Sequence, residues 1–285
     1  MRPEYITSTF LDDFIRSAFA EDLGSGDHSS LAAVPEDARS RARLLVKDHG
    51  VLAGVELAQL IYKHFDPNLK ITVLLKDGDS IVEGDVAFTI EGSSRSILST
   101  ERLVLNCMQR MSGIASKARS LTELIKGTKA KLLDTRKTTP NFRLLEKWAV
   151  LIGGAFNHRI GLFDMIMLKD NHIDMAGGIR NAIIRANDYL RAGNLQLRIE
   201  IETRNLNEVK EVLEVGGVDV IMFDNMSPDD MRKAVVMIDG KYKTEASGNI
   251  SENTIRAVAE TGVDFISVGA LTHSIRSLDL SLKAF

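Results

Sequence analysis

Residues 132–172 read LLDTRKTTPNFRLLEKWAVLIGGAFNHRIGLFDMIMLKDNH, and the fold is decided there. Two short apolar runs, Leu132-Leu133 and Met165-Ile166-Met167-Leu168, stop abruptly at polar residues. The first ends in Asp134-Thr135-Arg136-Lys137 and the second in Lys169-Asp170-Asn171-His172. Short apolar runs bounded in this way are the pattern of strands buried on both faces. Between them a helical pattern over 142–152 leads into Gly153-Gly154 and the cluster Asn157-His158-Arg159. Parallel α/β folds gather the C-terminal ends of their strands on one face, so cations placed there converge on an anionic ligand.

The same signature continues toward the C-terminus. Candidate strands end at Glu200-Ile201-Glu202, Asp224-Asn225, Glu245-Ala246-Ser247-Gly248 and Gly269-Ala270, with helical stretches over 179–191, 206–214, 229–237 and 251–261. The last four strands recur about every 22 residues, the spacing of compact β/α units. Six candidate strands in all, fewer than a complete barrel requires, predict an incomplete α/β barrel. At its mouth the carboxylates of Glu202 and Asp224 alternate with the earlier cations. A purely structural reading makes them ion pairs tying the mouth together. The functional reading sets cations for anionic groups against carboxylates for hydroxyls or a hard cation such as magnesium. Ser247-Gly248-Asn249 and Gly269-Ala270 are small residues where the last two strands leave the sheet, so backbone N–H groups can approach a phosphate there.

Working back toward the N-terminus, the spacing of Phe10, Phe14 and Ala18 predicts an amphipathic helix over 7–21, capped by Thr7, Ser8 or Thr9. A glycine- and serine-rich loop is expected over 23–30, a strand over 41–47, a helix over 54–65 and a strand over 71–75. Glycine-acid turns separate short β segments over 76–92, so the first third reads as a small α+β domain with antiparallel strands. From Ile97 the pattern is strongly helical, and Gly113 is expected to bend it into two helices at a domain boundary. On composition alone, Arg102 in this stretch is a solvated helix charge.

The 285 residues are 44% apolar and 26% charged, with a formal net charge of -3. Those values fit a soluble globular chain and give no basic surplus for nucleic acid. The single cysteine, Cys107, can form no internal disulfide and sits in an apolar helical pattern, so core packing is its expected role. The N-terminus has no apolar signal core and no run reaches spanning length, which makes cytoplasmic residence the expectation.

Taken together, EDLGSGD (21–27), ERLVLN (101–106), DTRKTTP (134–140), GGAFNHRIGLFD (153–164), KDNH (169–172), IEIE (199–202), FDNM (223–226), EASGNI (245–250) and SVGALTHS (267–274) resemble the quinolinate phosphoribosyltransferase family over nearly the whole chain. The resemblance implies an N-terminal α/β sandwich domain (1–113), a C-terminal incomplete α/β barrel (114–273) and a segment (274–285) returning to the sandwich. It implies phosphoribosyl transfer from phosphoribosyl pyrophosphate to quinolinate with decarboxylation, giving nicotinate mononucleotide, with magnesium, in a homodimer. Arg136, His158 and Arg159 match the quinolinate-binding positions, and Arg102 matches an arginine that enters the partner's site. Lys137 and Lys169 match positions among the carboxylate, phosphate and pyrophosphate oxygens. Glu202 and Asp224 match those that hold ribose hydroxyls and metal, while Ser247, Gly248, Asn249, Gly269 and Ala270 match the phosphate loops.

The chain departs from the family pattern at Asn141, where glycine is common, at Leu151 and Ala155 beside the His158 loop, and in the turn His28-Ser29-Ser30. Three other readings stand against the first. One is a fold paralogue associated with molybdenum transport that acts on another substrate. Another is a Schiff-base aldolase using Lys137 or Lys169. The third is a non-catalytic sensor of the same ligands.

Overall fold

The computed structural model describes residues 2–285. Its first elements are α1 (Ser8–Leu23), α2 (His28–Ala33), β1 (Arg39–Val46), β2 (Gly50–Val51), α3 (Val55–Phe65), β3 (Lys70–Val73), β4 (Ser80–Ile81), β5 (Val86–Ser93) and α4 (Ser94–Leu124). Then come β6 (Lys131–Leu133), α5 (Arg143–Ile152), β7 (Ile166–Leu168), α6 (Asp170–Ala176), α7 (Ile179–Ala192), β8 (Ile199–Thr203), α8 (Leu206–Val215) and β9 (Val220–Asp224). The last are α9 (Pro228–Ile238), β10 (Lys243–Ser247), α10 (Ile255–Ala259), β11 (Phe265–Ser267), α11 (Ala270–His273) and β12 (Leu280–Ala284). The chain divides into two compact units. One holds the residues up to Arg119 with 138–154 and 271–285, and the other holds 120–137 and 155–270. No described helix is long and apolar enough to cross a membrane.

The first unit is built on an antiparallel sheet in the order β12-β1-β5-β3. In β1, Ala42, Leu44 and Val46 are buried while the alternate residues Arg39, Arg41 and Arg43 are not, the period of two expected of a half-buried strand. Helix α3 buries Leu57, Ala58, Ile61 and Tyr62, and the Tyr62 ring meets Phe88 of β5 edge-on at 6.0 Å. Helix α1 is capped by Thr7, whose side chain accepts from Phe10 N, and lays Phe19 on Phe65 with ring centroids 5.0 Å apart.

Two local expectations need correction. The loop expected over 23–30 ends earlier, because the Asp27 carboxylate accepts from Ser30 N and starts α2 at His28. Helix α4 runs unbroken through Gly113. A Cβ there would collide with the Arg276 carbonyl oxygen and come within 3.0 Å of Ile275, so this glycine permits a close backbone approach and makes no bend.

Helix α4 also stitches the unit through hydroxyls. Ser112 Oγ accepts from Ala53 N at 2.9 Å and donates to Ala53 O at 3.1 Å, while Ser116 Oγ accepts from Val51 N at 2.8 Å. Cys107 is buried in the same helix, and burial pushes its thiol up to about 12. The native protein at pH 8 is therefore expected to leave Cys107 untouched by a disulfide reagent over hours, with one thiol titrating on denaturation.

A buried polar knot lies in the first turn of α5. Glu146 is fully buried and accepts from Arg110 Nε (3.0 Å) and Nη2 (2.8 Å), from Thr139 N (3.1 Å) and from Thr139 Oγ1 (2.9 Å). The same Arg110 donates to Thr272 O at 2.6 Å. Just before α5, Asn141 takes φ 61, the left-handed backbone that Asn tolerates better than other residues with a Cβ.

The second unit carries six parallel strands in the order β6-β11-β10-β9-β8-β7. Parallel partners share a face, and the register sets Glu202, Met222, Glu245, Phe265 and Lys131 in one row. Glu200, Val220 and Lys243 form the row on the N-terminal side. Asp224 and Ser247 pair on the C-terminal side. The alternate residues Ile199, Ile201, Ile221, Phe223, Ala246, Ile266 and Leu132 are all apolar and buried. One face of the sheet is thus suited to the apolar faces of the intervening helices, and the other holds the ionisable groups. The edge strands β6 and β7 are linked by the segment 156–159. Phe156 N donates to Leu132 O at 2.9 Å, Asp134 N donates to Phe156 O at 3.1 Å, and Arg159 Nη1 reaches Met165 O, just before β7, at 3.0 Å. Fewer strands than a closed barrel, with the gap filled by an irregular segment, make the incomplete barrel that the repeat predicted.

Candidate active site

The site grows from the ends of β6 to β11, all within the second unit. Asp134 ends β6 wholly buried. Its Oδ1 accepts from His158 N at 2.8 Å and its Oδ2 from Asn157 Nδ2 at 2.7 Å. Its carboxylate is therefore spent on fixing the Asn157-His158-Arg159 segment, a role the sequence reading missed. Beyond it, Arg136 is half-buried and Lys137 exposed, in a turn closed by Lys137 N donating to Thr135 Oγ1 at 3.0 Å.

Arg159 is 8% exposed. Its guanidinium is held below its ordinary proton affinity by burial first and by the neighbouring charge of Arg136 second, with Glu200, Asp164 and Glu202 acting in the opposite direction. The loop after it is fixed by Asp164, whose carboxylate accepts from Ile160 N at 2.7 Å and Gly161 N at 2.9 Å. Two guanidiniums are thus kept within electrostatic reach of each other, a costly arrangement that an anion between them relieves.

His158 lies beside Arg159 in the same segment, its backbone N–H held by Asp134. Its Nδ1 accepts from Arg159 N at 2.7 Å, which assigns the ring proton to Nε2 in the neutral imidazole. Nε2 faces inward, 3.0 Å from Glu200 Oε2 and 3.6 Å from Glu245 Oε1. All three side chains are buried, with ligand atoms within 4.8 Å of one another. Metal ligation through Nε2 would need the proton on Nδ1, where it would meet the Arg159 N–H. The group therefore suits a proton better than a metal ion. Glu245 is held protonated well above the ordinary carboxyl range by burial and then by Glu200, with the Ser267 hydroxyl opposing. These two carboxyls escaped the sequence reading, although their parity on β8 and β10 places them on the same face as Glu202 and Ser247.

Lys169 ends β7 and donates through Nζ to Glu202 Oε1 at 2.9 Å; the other oxygen, Oε2, accepts from Asp170 N at 3.2 Å. The ion pair that a structural reading expected at the mouth is present here, at a half-buried lysine. At the end of β9, Asp224 accepts from Asn225 Nδ2 at 2.9 Å. Asn225 takes φ 55, donates through N to Ser247 O at 2.9 Å and accepts from Asn249 Nδ2 at 2.9 Å. Any Cβ on Gly248 would strike the Asn225 side chain, so the glycine here keeps room for that linkage. Asn225 is a further residue that the sequence reading passed over. Val268 N donates to Leu133 O at 3.0 Å, which fixes the approach to Gly269 and Ala270, both half-buried.

Arg136, Lys137, His158, Arg159, Lys169, Glu202, Asp224, Ser247, Gly248, Asn249, Gly269 and Ala270 all belong to this one unit. Arg102 belongs to the other, exposed on α4. A cavity of about 210 Å³ lies on the ionisable face, lined by His158, Arg159, Glu200 and Glu245 with apolar Leu133 and Phe265 among others.

Residues 27–112 match the family model of the quinolinate phosphoribosyl transferase N-terminal domain, and residues 114–283 match that of the C-terminal domain. A chloroplastic nicotinate-nucleotide pyrophosphorylase [carboxylating] of Arabidopsis thaliana is 46% identical over 284 residues, covering 94% of this chain and 81% of that one. Quinolinate phosphoribosyltransferase [decarboxylating] 1b of Nicotiana tabacum is 44% identical over 288 residues, covering 96% and 82%. Among solved structures, NadC from Streptococcus pyogenes is 40% identical and superposes with a TM-score of 0.92, covering 98% of this chain and 99% of that one.

Proposed function

The chain belongs to the quinolinate phosphoribosyltransferase family, and from that premise we propose how its residues share the reaction. The enzyme transfers the phosphoribosyl group of phosphoribosyl pyrophosphate to quinolinate and releases pyrophosphate and carbon dioxide, leaving nicotinate mononucleotide for NAD biosynthesis. The observation that carries the division of roles is the pair formed by Arg136, just beyond β6, and the buried Arg159 of the segment 156–159, two cations close enough for the charge of one to act on the other. Quinolinate bears two adjacent carboxylates, and such a dianion needs fixed cations to offset the loss of water around it. A guanidinium can grip each carboxylate through two parallel bonds.

Lys137 and Lys169 supply point charges to the phosphate and pyrophosphate oxygens. Glu202 and Asp224 face the ribose hydroxyls, and the small residues Ser247, Gly248, Asn249, Gly269 and Ala270 offer backbone N–H groups to the 5′-phosphate. The pyridine nitrogen lone pair forms the bond to the ribose carbon as the bond to pyrophosphate oxygen breaks, and nearby carboxylates stabilise the cationic character that develops. The quaternised ring then accepts the electron pair left by departing carbon dioxide, and that ring carbon takes up a proton.

Magnesium fits the donor set at the mouth. Glu202 and Asp224 offer only oxygen, the donor a hard cation prefers, and such an ion needs few protein ligands when it also binds phosphates. It would supply charge neutralisation of the pyrophosphate leaving group. Arg102, exposed on its helix, is assigned to the quinolinate site of a partner subunit in a homodimer.

The test mixes the purified protein with quinolinate, phosphoribosyl pyrophosphate and magnesium. Nicotinate mononucleotide and carbon dioxide should appear in equal amounts, and nicotinic acid should fail as a substitute. A folded preparation that forms neither product would sink the assignment in favour of another acceptor.

A further inference from the structure

Thr139 lies two residues beyond Lys137 in the chain, and Thr272 lies two residues beyond Ala270. With the 5′-phosphate given to the loop of Gly269 and Ala270, Lys137 is left to the pyrophosphate end, so each threonine closely follows a group that takes one end of phosphoribosyl pyrophosphate. Both threonines belong to the first unit, which the chain enters at 138 and again at 271. There they meet the same side chain. Arg110 Nη2 donates to Thr272 O at 2.6 Å and to Thr139 Oγ1 at 3.4 Å. Its Nε and Nη2 also hold Glu146 Oε1, which accepts in turn from Thr139 Oγ1.

Further contacts fix the two segments around this junction. Thr138 Oγ1 accepts from Arg143 Nε at 2.9 Å, and Thr139 N donates to the second oxygen of Glu146 at 3.1 Å. Thr272 is fully buried. Beyond it, Leu278 N donates to Gln109 O at 3.0 Å and Gln109 Nε2 donates to Leu280 O at 2.8 Å. Within the barrel, the strands that lead into these segments, β6 and β11, run side by side up to Leu133 and Ser267. Arg110 joins the same two stretches of chain a second time, beyond the strand ends. A guanidinium suits that place because its donors point in fixed directions, so it sets a distance as well as supplying a charge.

We propose that Arg110 is a positioning residue which, with Glu146, fixes the spacing between the Lys137 turn and the Gly269-Ala270 loop and so matches the site to the length of phosphoribosyl pyrophosphate. The proposal rests on the family reaction and on the roles given to those residues. A ligand gripped at both ends loses affinity when the distance between the grips varies, whereas a ligand gripped at one end does not. Arg110 therefore contributes to binding of phosphoribosyl pyrophosphate and little to binding of pyrophosphate or ribose 5-phosphate alone. The segment that carries Arg159 is fixed by Asp134 instead, so quinolinate binding is spared.

The test uses Arg110→Lys, which keeps a positive charge beside Glu146 and gives up the fixed fork. Dissociation constants for phosphoribosyl pyrophosphate, pyrophosphate, ribose 5-phosphate and quinolinate are measured by calorimetric titration with magnesium present, and both KM values by steady-state kinetics. Phosphoribosyl pyrophosphate should bind about tenfold more weakly and its KM should rise alike, while the other three constants stay within about threefold of the parent. Thr139→Val removes the hydroxyl shared by Arg110 and Glu146, and should weaken phosphoribosyl pyrophosphate selectively by about threefold. It decides the question if Arg110→Lys does not fold.

Equal weakening of all four ligands would reveal a general loosening of the fold and overturn the proposal. So would a folded Arg110→Lys protein that binds phosphoribosyl pyrophosphate as the parent does. A parent protein that binds phosphoribosyl pyrophosphate but makes no nicotinate mononucleotide would defeat the reaction assignment, and the comparison of double-ended with single-ended ligands would still decide the role of Arg110.

Discussion

Arg159→Ala should lower kcat/KM for quinolinate by about two to four orders of magnitude, the loss of two charge-assisted bonds at about 1.5 to 3 kcal/mol each. Arg136→Ala should fall in the same range, and Arg159→Lys should recover little, because an ammonium cannot make the paired bonds of a guanidinium. The side chain is 8% exposed and crowded by a second arginine, so its removal also relieves a repulsion. Thermal unfolding of the variant without substrate should therefore lie within a few degrees of the parent, while the stabilisation that quinolinate gives the parent disappears. Activity kept within tenfold by both alanine variants would mean that the dianion binds elsewhere.

The largest effect on stability is expected at Glu146, which takes no part in the chemistry. Four donor contacts from Arg110 and Thr139 end on its carboxylate. Glu146→Ala would leave Arg110 without its counter-charge and the Thr139 N–H without an acceptor. Breaking a buried pair from one side costs about 3 to 5 kcal/mol, a large part of the stability of an ordinary domain. Urea unfolding followed by far-ultraviolet circular dichroism would measure it. Glu146→Gln should lose less, since an amide oxygen in the place of Oε1 still accepts three of the four bonds. A midpoint unchanged in the alanine variant would show that the knot is solvated and of little weight.

Much of this was legible in the chain because barrel strands announce themselves twice, by an apolar run and by the polar residues that end it. Leu132-Leu133 before Asp134, and Met165 to Leu168 before Lys169, needed no more than that. What stayed hidden depends on depth and direction. In IEIE both acids share a face, but only the structure tells that Glu202 lies near the mouth while Glu200 lies a row below, against His158 and Glu245. Gly113 could mean a bend or a close contact, and its neighbours in sequence are the same in either case. Asp134 looked like one more polar strand-end residue, since the groups it accepts from, the His158 backbone N–H and the Asn157 side-chain amide, lie more than twenty residues away and carry no signature of their own.

The sheet order of the first unit bears on how the chain is made. Strand β1 has β5 on one side and β12 on the other, with Ala42 beside Ala284. Strand β5 follows soon after β1, but β12 follows every strand of the second unit. During synthesis β1 therefore waits with one edge open until nearly the whole barrel has left the ribosome, and its free N–H and C=O groups could meanwhile pair with another nascent chain. The alternate arginines of β1, Arg39, Arg41 and Arg43, place like charges along that waiting edge and discourage two copies from joining there.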